Sequence, residues 1–126
     1  MELIRTIMCR IWLKRQLKYQ NRAKFKTKID EEYKEFKALV LNESKEAIFQ
    51  QALKISFYEA VHKYVLGDDV ELSDTILDGA KNVDRPISLM YNYAVTEDYE
   101  ANLTLEDIQY LLEDVFYLFR KELMAS

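Results

Sequence analysis

Residues able to do chemistry are few in this sequence. His62 is the sole histidine, and Glu59 precedes it by three positions, which places both on one face of a helix. A Glu-x-x-His pair is one part of a carboxylate-bridged di-iron site, which needs a second such pair and two more glutamates. The sequence offers no second histidine, and its one cysteine, Cys9, lies in a different segment. Zinc sites built from His and Cys fail for the same shortage of ligands. His62 is therefore expected to be exposed or to support a neighbour near a helix C-terminus.

Nucleophilic chemistry has as little to work with. No base partner is indicated for Cys9, and no Gly-x-Ser-x-Gly turn exists. Glycines occur only at 67 and 79, too few for a glycine-rich phosphate loop. Residues 68–78 lack the central glycine and closing glutamate of a calcium loop. The acidic pairs Asp68/Asp69, Glu97/Asp98 and Glu106/Asp107 are too ordinary to mark a catalytic dyad. The expectation is a non-enzymatic protein with no cofactor, no metal and no catalytic residue.

Charge is more informative. Residues 1–28 carry nine Lys/Arg against the single acid Glu2, a net +8; residues 29–126 carry nine against 21 acids, a net −12. The overall −4 hides that split, which points to a charged partner or to self-docking. Acidic candidates for partner binding are Asp68, Asp69, Glu71, Asp74 and Asp78, with a second cluster at Glu97, Asp98, Glu100, Glu106 and Asp107. Such a surface could stand in for nucleic-acid phosphates in a basic groove, or simply be a solvated face. Basic candidates are Lys14, Arg15, Lys18, Arg22 and Lys26, with Trp12, Tyr19 and Phe25 interleaved. They suit nucleic acid, bound through residues 8–28. They equally suit docking on an acidic surface, the chain's own or that of a second copy in a homodimer. An in-plane membrane helix is disfavoured because only about three turns are amphipathic.

The elements that position these residues are helical. In 126 residues there are two glycines and one proline, too few for the turns of a β-rich fold. Hydrophobic residues at 49% and charged residues at 32% fit one folded domain with its own core. One cysteine and the lack of a signal-like leader point to a reducing, cytoplasmic setting. We expect a single all-α domain of five to six helices: a basic helical segment at 1–28 and an acidic all-helical body at 29–126.

The first helix spans about 3–41, continuous or mildly kinked, because Ile4, Ile7, Met8 and Ile11 share a phase with Phe25, Ile29, Tyr33, Phe36 and Val40. Arg15, Lys18 and Arg22 occupy the same face between them, so the helix is expected to bury apolar residues toward both ends. The competing signal is a capping box at Thr27–Asp30. A helix at 45–66, for which Asn42-Glu43-Ser44 supplies cap candidates, shows two stripes, Phe49, Leu53, Phe57, Ala60, Tyr64 and Ile48, Ala52, Ile55, Leu66, expected of a central element. Shorter helices follow at 74–80, capped by Ser73, and at 86–96, opened by Pro86. The last, 105–123, is capped by Thr104 with Asp107, Leu103 stapling onto Ile108. It repeats Ile108, Leu111, Leu112, Val115, Leu118 and Phe119.

Ile29-Asp30-Glu31-Glu32-Tyr33 with Phe36, then Ala52, Leu72-Ser73, Pro86 and Tyr91 resemble a bacterial domain-of-unknown-function family. That family comprises short helical proteins from gut bacteria and their mobile elements. The resemblance implies no catalytic residue, and the basic first 28 residues lie outside it. It implies a phage or mobile-element protein that acts by stoichiometric binding, as anti-CRISPR counter-defence inhibitors do. The expected function is thus protein–protein interaction, with inhibition of a nucleic-acid-binding host complex through charged surfaces. The alternative is a nucleic-acid-binding protein led by its basic N-terminal helix.

Overall fold

A computed structural model describes residues 2–67, 70, 72–97 and 104–125, with 119–125 described by backbone alone. It is an all-α domain of six helices, with no strand among the described residues. The helices are α1 (Glu2–Leu41), α2 (Lys45–Gln50), α3 (Ala52–Leu66), α4 (Asp74–Ala80), α5 (Pro86–Thr96) and α6 (Leu105–Ala125).

Helix α1 is unbroken over 40 residues, a rod about 60 Å long at 1.5 Å per residue. The capping-box signal at 27–30 is overridden: Thr27 Oγ1 turns back to the Ala23 carbonyl at 2.9 Å, a bond that continuous helix permits. Phe25, Ile29 and Val40 are buried, with Tyr33 and Phe36 packed against the same core. The predicted burial toward the N-terminal end does not occur. Ile4, Ile7, Met8 and Ile11 are exposed, because among the described residues the core does not extend along α1 before Asn21.

The predicted helix 45–66 is two helices, α2 and α3. Gln51 sits between them at φ −98°, ψ 13°, and its side-chain amide donates to Glu43 across the α1–α2 turn at 2.7 Å. Its two expected stripes are the margins of one broad buried face centred on Tyr58, Val61 and Val65. Phe49 and Leu53, read as core, are exposed instead. Helix α3 packs against α1, α5 and α6, which gives it the central place expected.

Helices α4 and α6 approach most closely. A Cβ on Gly79 would lie 2.8 Å from Phe116 Cβ, so only glycine allows this approach without displacing α6. Helix α6 buries Ile108, Leu111, Leu112, Val115 and Phe116, each worth roughly 1.5–3 kcal/mol of transfer free energy. Phe116 takes the core place that the repeat assigned to Leu118, which is exposed; Phe119 and the proposed Leu103 staple lie outside the described side chains. Ser44, Ser73 and Thr104 all cap their helices as expected.

Helix α5 is opened differently. Its N-cap, Arg85, makes no side-chain cap bond. The carboxylate of Glu32, 5% exposed, reaches in from α1. It accepts from the Ile87 N–H at 2.7 Å, the Ser88 N–H at 3.0 Å and the Ser88 hydroxyl at 2.8 Å. Because the Ser88 hydrogen is spent on Glu32, Tyr58 donates to Ser88 Oγ at 2.7 Å. The helix dipole favours a negative charge there, and the three donors replace lost water. Lys54 closes the neighbouring aromatic layer, its ammonium 5.5–6.0 Å from the rings of Phe36, Tyr58 and Tyr91.

Replacing Glu32 by Ala leaves two helix-opening N–H groups without partners. The expected cost is on the order of 3 kcal/mol, read as a lower urea midpoint at unchanged slope.

Candidate functional site

The basic segment divides into two parts. Residues 2–20 are exposed throughout, and burial against the body starts at Asn21 and Arg22. Within the exposed part, Lys14 and Arg15 have no polar partner among the described residues, and Lys26, further along, is half-buried without one. The other basic candidates turn inward. Arg22 donates to the Val70 carbonyl at 2.8 Å, and Lys18 lies 3.6 Å from Asp74. At 56% and 77% side-chain exposure, the Lys18–Asp74 pair contributes little to stability. Its value is geometric: part of the basic band lies along the chain's own acidic edge. Asp74 and Asp78 are exposed there, whereas Asp68, Asp69 and Glu71 lie outside the described residues.

Apolar side chains dominate the free part of α1. Leu3, Ile4, Ile7, Met8, Ile11, Trp12, Leu13, Leu17 and Tyr19 are all exposed, Trp12 at 60% and Tyr19 at 72%. At 100° per residue Leu3, Leu13 and Leu17 fall away from Ile4, Ile7, Met8 and Ile11, with Trp12 and Tyr19 flanking. Apolar surface therefore surrounds most of the helix, threaded by Arg5, Arg10, Lys14 and Arg15. Cys9, also exposed, is a free thiol on this rod. The first apolar face was legible from phase; its lack of cover was not, since periodicity cannot say where the body ends. No helix among the described residues is long and apolar enough to cross a membrane.

The chemistry-bearing residues settle into supporting places. His62 Nε2 meets Asp30 Oδ1 at 2.9 Å, and its ring stacks on Tyr33 at a centroid distance of 4.1 Å. Glu59 is exposed one turn away. Among the described residues no three His, Cys, Asp or Glu side chains converge to hold a metal ion. Asp30 also pairs with Lys34 at 2.8 Å. Lys34 first, and His62 second, hold the Asp30 carboxyl below its ordinary value. Asp107 is held low as well, by the Thr104 backbone N–H and then the Thr104 hydroxyl.

Sequence reasoning missed Glu32 and Lys28. Glu32 borders the Phe25–Val40 stripe, where a charge needs a buried partner, and that position was its available signal. Lys28 lies about 100° from the centre of the stripe and was legible only as one of the basic residues of 8–28. Lys28 Nζ donates to the carbonyls of Ala80 at 3.5 Å, Lys81 at 3.0 Å and Val83 at 3.1 Å, at the end of α4. The chain matches no protein-family model, no curated protein and no solved structure.

Because the folded-state pKa of Asp30 is depressed, its contribution to stability is full above the unfolded-state value and disappears as pH falls through the folded-state value. The urea midpoints of the wild type and Asp30→Asn should therefore differ near neutrality and converge on acidification below the ordinary carboxylate range.

Proposed function

We propose that this protein is a non-enzymatic interaction protein that docks onto another protein through the exposed half of α1. The observation that carries this is the bare stretch 2–20, with nine large apolar side chains in water. A single helix of that length gains only marginal stability from its own hydrogen bonds. A helix apolar around most of its circumference is ordinarily enclosed by neighbours. An apolar groove rimmed with acids fits it, the acids meeting Arg5, Arg10, Lys14 and Arg15.

The finer reading is a phage or mobile-element inhibitor of the anti-CRISPR-like, counter-defence kind, bound to a nucleic-acid-binding host complex. Its acidic body would occupy a basic protein groove while the arm reaches an acidic patch or nucleic acid. The net −12 of residues 29–126, the exposed Asp74 and Asp78, and the resemblance to helical mobile-element proteins support it. The second reading, direct nucleic-acid binding, draws on Lys14 and Arg15 standing unpaired beside exposed Trp12 and Tyr19.

Changing Ile7, Ile11 and Trp12 together to Ser should abolish capture of the host partner identified by affinity purification and mass spectrometry. Thermal unfolding of the body should be unchanged. A partner retained by the triple variant overturns the docking reading. If Lys14→Ala with Arg15→Ala instead removes a salt-sensitive mobility shift of DNA or RNA while the triple variant keeps it, the second reading replaces it. On the finer reading, charge reversal at Asp74 and Asp78 slows association most at low salt, and an unaltered rate removes the acidic-mimic role.

A further inference from the structure

Where α1 passes the α4–α5 turn, the surface holds a cavity of about 260 Å³. Lys24, Lys28 and Lys81 line its walls with the amides of Asn21 and Asn82, and Phe25 and Leu77 form part of its apolar lining. Among the described residues no acid lines it, although residues 29–126 carry −12 overall. The three lysines are not equivalent. Lys28 is fixed by the carbonyls at the end of α4, so its charge cancels the negative helix end that would otherwise repel an anion. Lys24 and Lys81 are exposed and have no polar partner among the described residues.

We propose that this cavity binds a phosphoryl group carried on a compact organic body. Lys24 and Lys81 supply charge-assisted hydrogen bonds to its oxygens, Asn21 and Asn82 add neutral donors, and the Phe25–Leu77 side takes the attached apolar or planar moiety. The volume is below the roughly 300–1,000 Å³ of clefts that enclose a whole small ligand. The cavity therefore takes the phosphoryl end and the adjoining part of its carrier, whether that carrier is free or one unit of a single strand. The site is independent of the docking role proposed for residues 2–20, since none of the lining residues belongs to that stretch.

The test is an NMR titration of the full chain with inorganic phosphate, a nucleoside monophosphate and a short single-stranded oligonucleotide. The expected result is saturable shifts at the amides of Asn21, Lys24, Lys81 and Asn82. Lys24→Ala with Lys81→Ala should weaken binding by at least about tenfold at an unchanged urea midpoint, and Lys24→Arg with Lys81→Arg should retain it. Saturation by the nucleoside monophosphate identifies a small ligand. Saturation by the oligonucleotide alone, weakening with salt, identifies a nucleic-acid backbone. If none of the three probes shifts these amides, or the double alanine variant binds as the wild type does, the proposal is wrong.

Discussion

Two charges one helical turn apart hold this fold in register. Lys28 of α1 reaches the carbonyls that end α4, and Glu32 reaches the amides that begin α5. On an isolated helix they would form an i, i+4 pair worth a few tenths of a kcal/mol. Here each instead satisfies the backbone groups that a helix end leaves open, with the sign the helix dipole favours. The turn between Ala80 and Pro86 is thereby clamped onto α1 from both sides. Since Glu32 is almost fully buried, its partners are obligatory: a carboxylate removed from water without donors would cost several kcal/mol.

That clamp also decides which part of α1 is free. The core built by Phe25, Ile29, Leu111, Leu112 and Phe116 grips the helix from residue 25 onward, and Arg22 anchors to Val70 just before it. Everything earlier extends as a rod of about 28 Å. Helix continuity through Asn21 carries the order of the body into the rod. The rod gains stiffness with only the exposed Lys18–Asp74 pair to tie it to the body, and its apolar side chains remain available to a partner.

Much of the fold was legible in the sequence because its signals are local. Ser44, Ser73 and Thr104 cap where their side chains reach the next turn, Pro86 opens α5, and the 25–40 stripe faces the core. What escaped depends on distant residues. No local pattern joins Glu32 to Ile87, 55 residues apart, or fixes the break at Gln51. Tyr58 and Val61 lie between the two apolar stripes of α3, so periodicity marks the margins of their face and not its centre. The basic candidates were legible as a cluster, yet their division was not. Lys18 turns to Asp74 and Arg22 to the Val70 carbonyl, while Lys14 and Arg15 stay in solvent.

The central claim is that residues 2–20 form a helix whose apolar side chains have no cover among the described residues, the exposed Lys18–Asp74 pair being its link to the body. Amide hydrogen exchange measures this directly, because protection follows the free energy of local opening. In dilute protein, amides of 2–20 should exchange orders of magnitude faster than those of 25–40, and gain protection on partner binding. Equal protection of the two stretches, independent of protein concentration, would mean that the rod packs on its own body and would contradict the account.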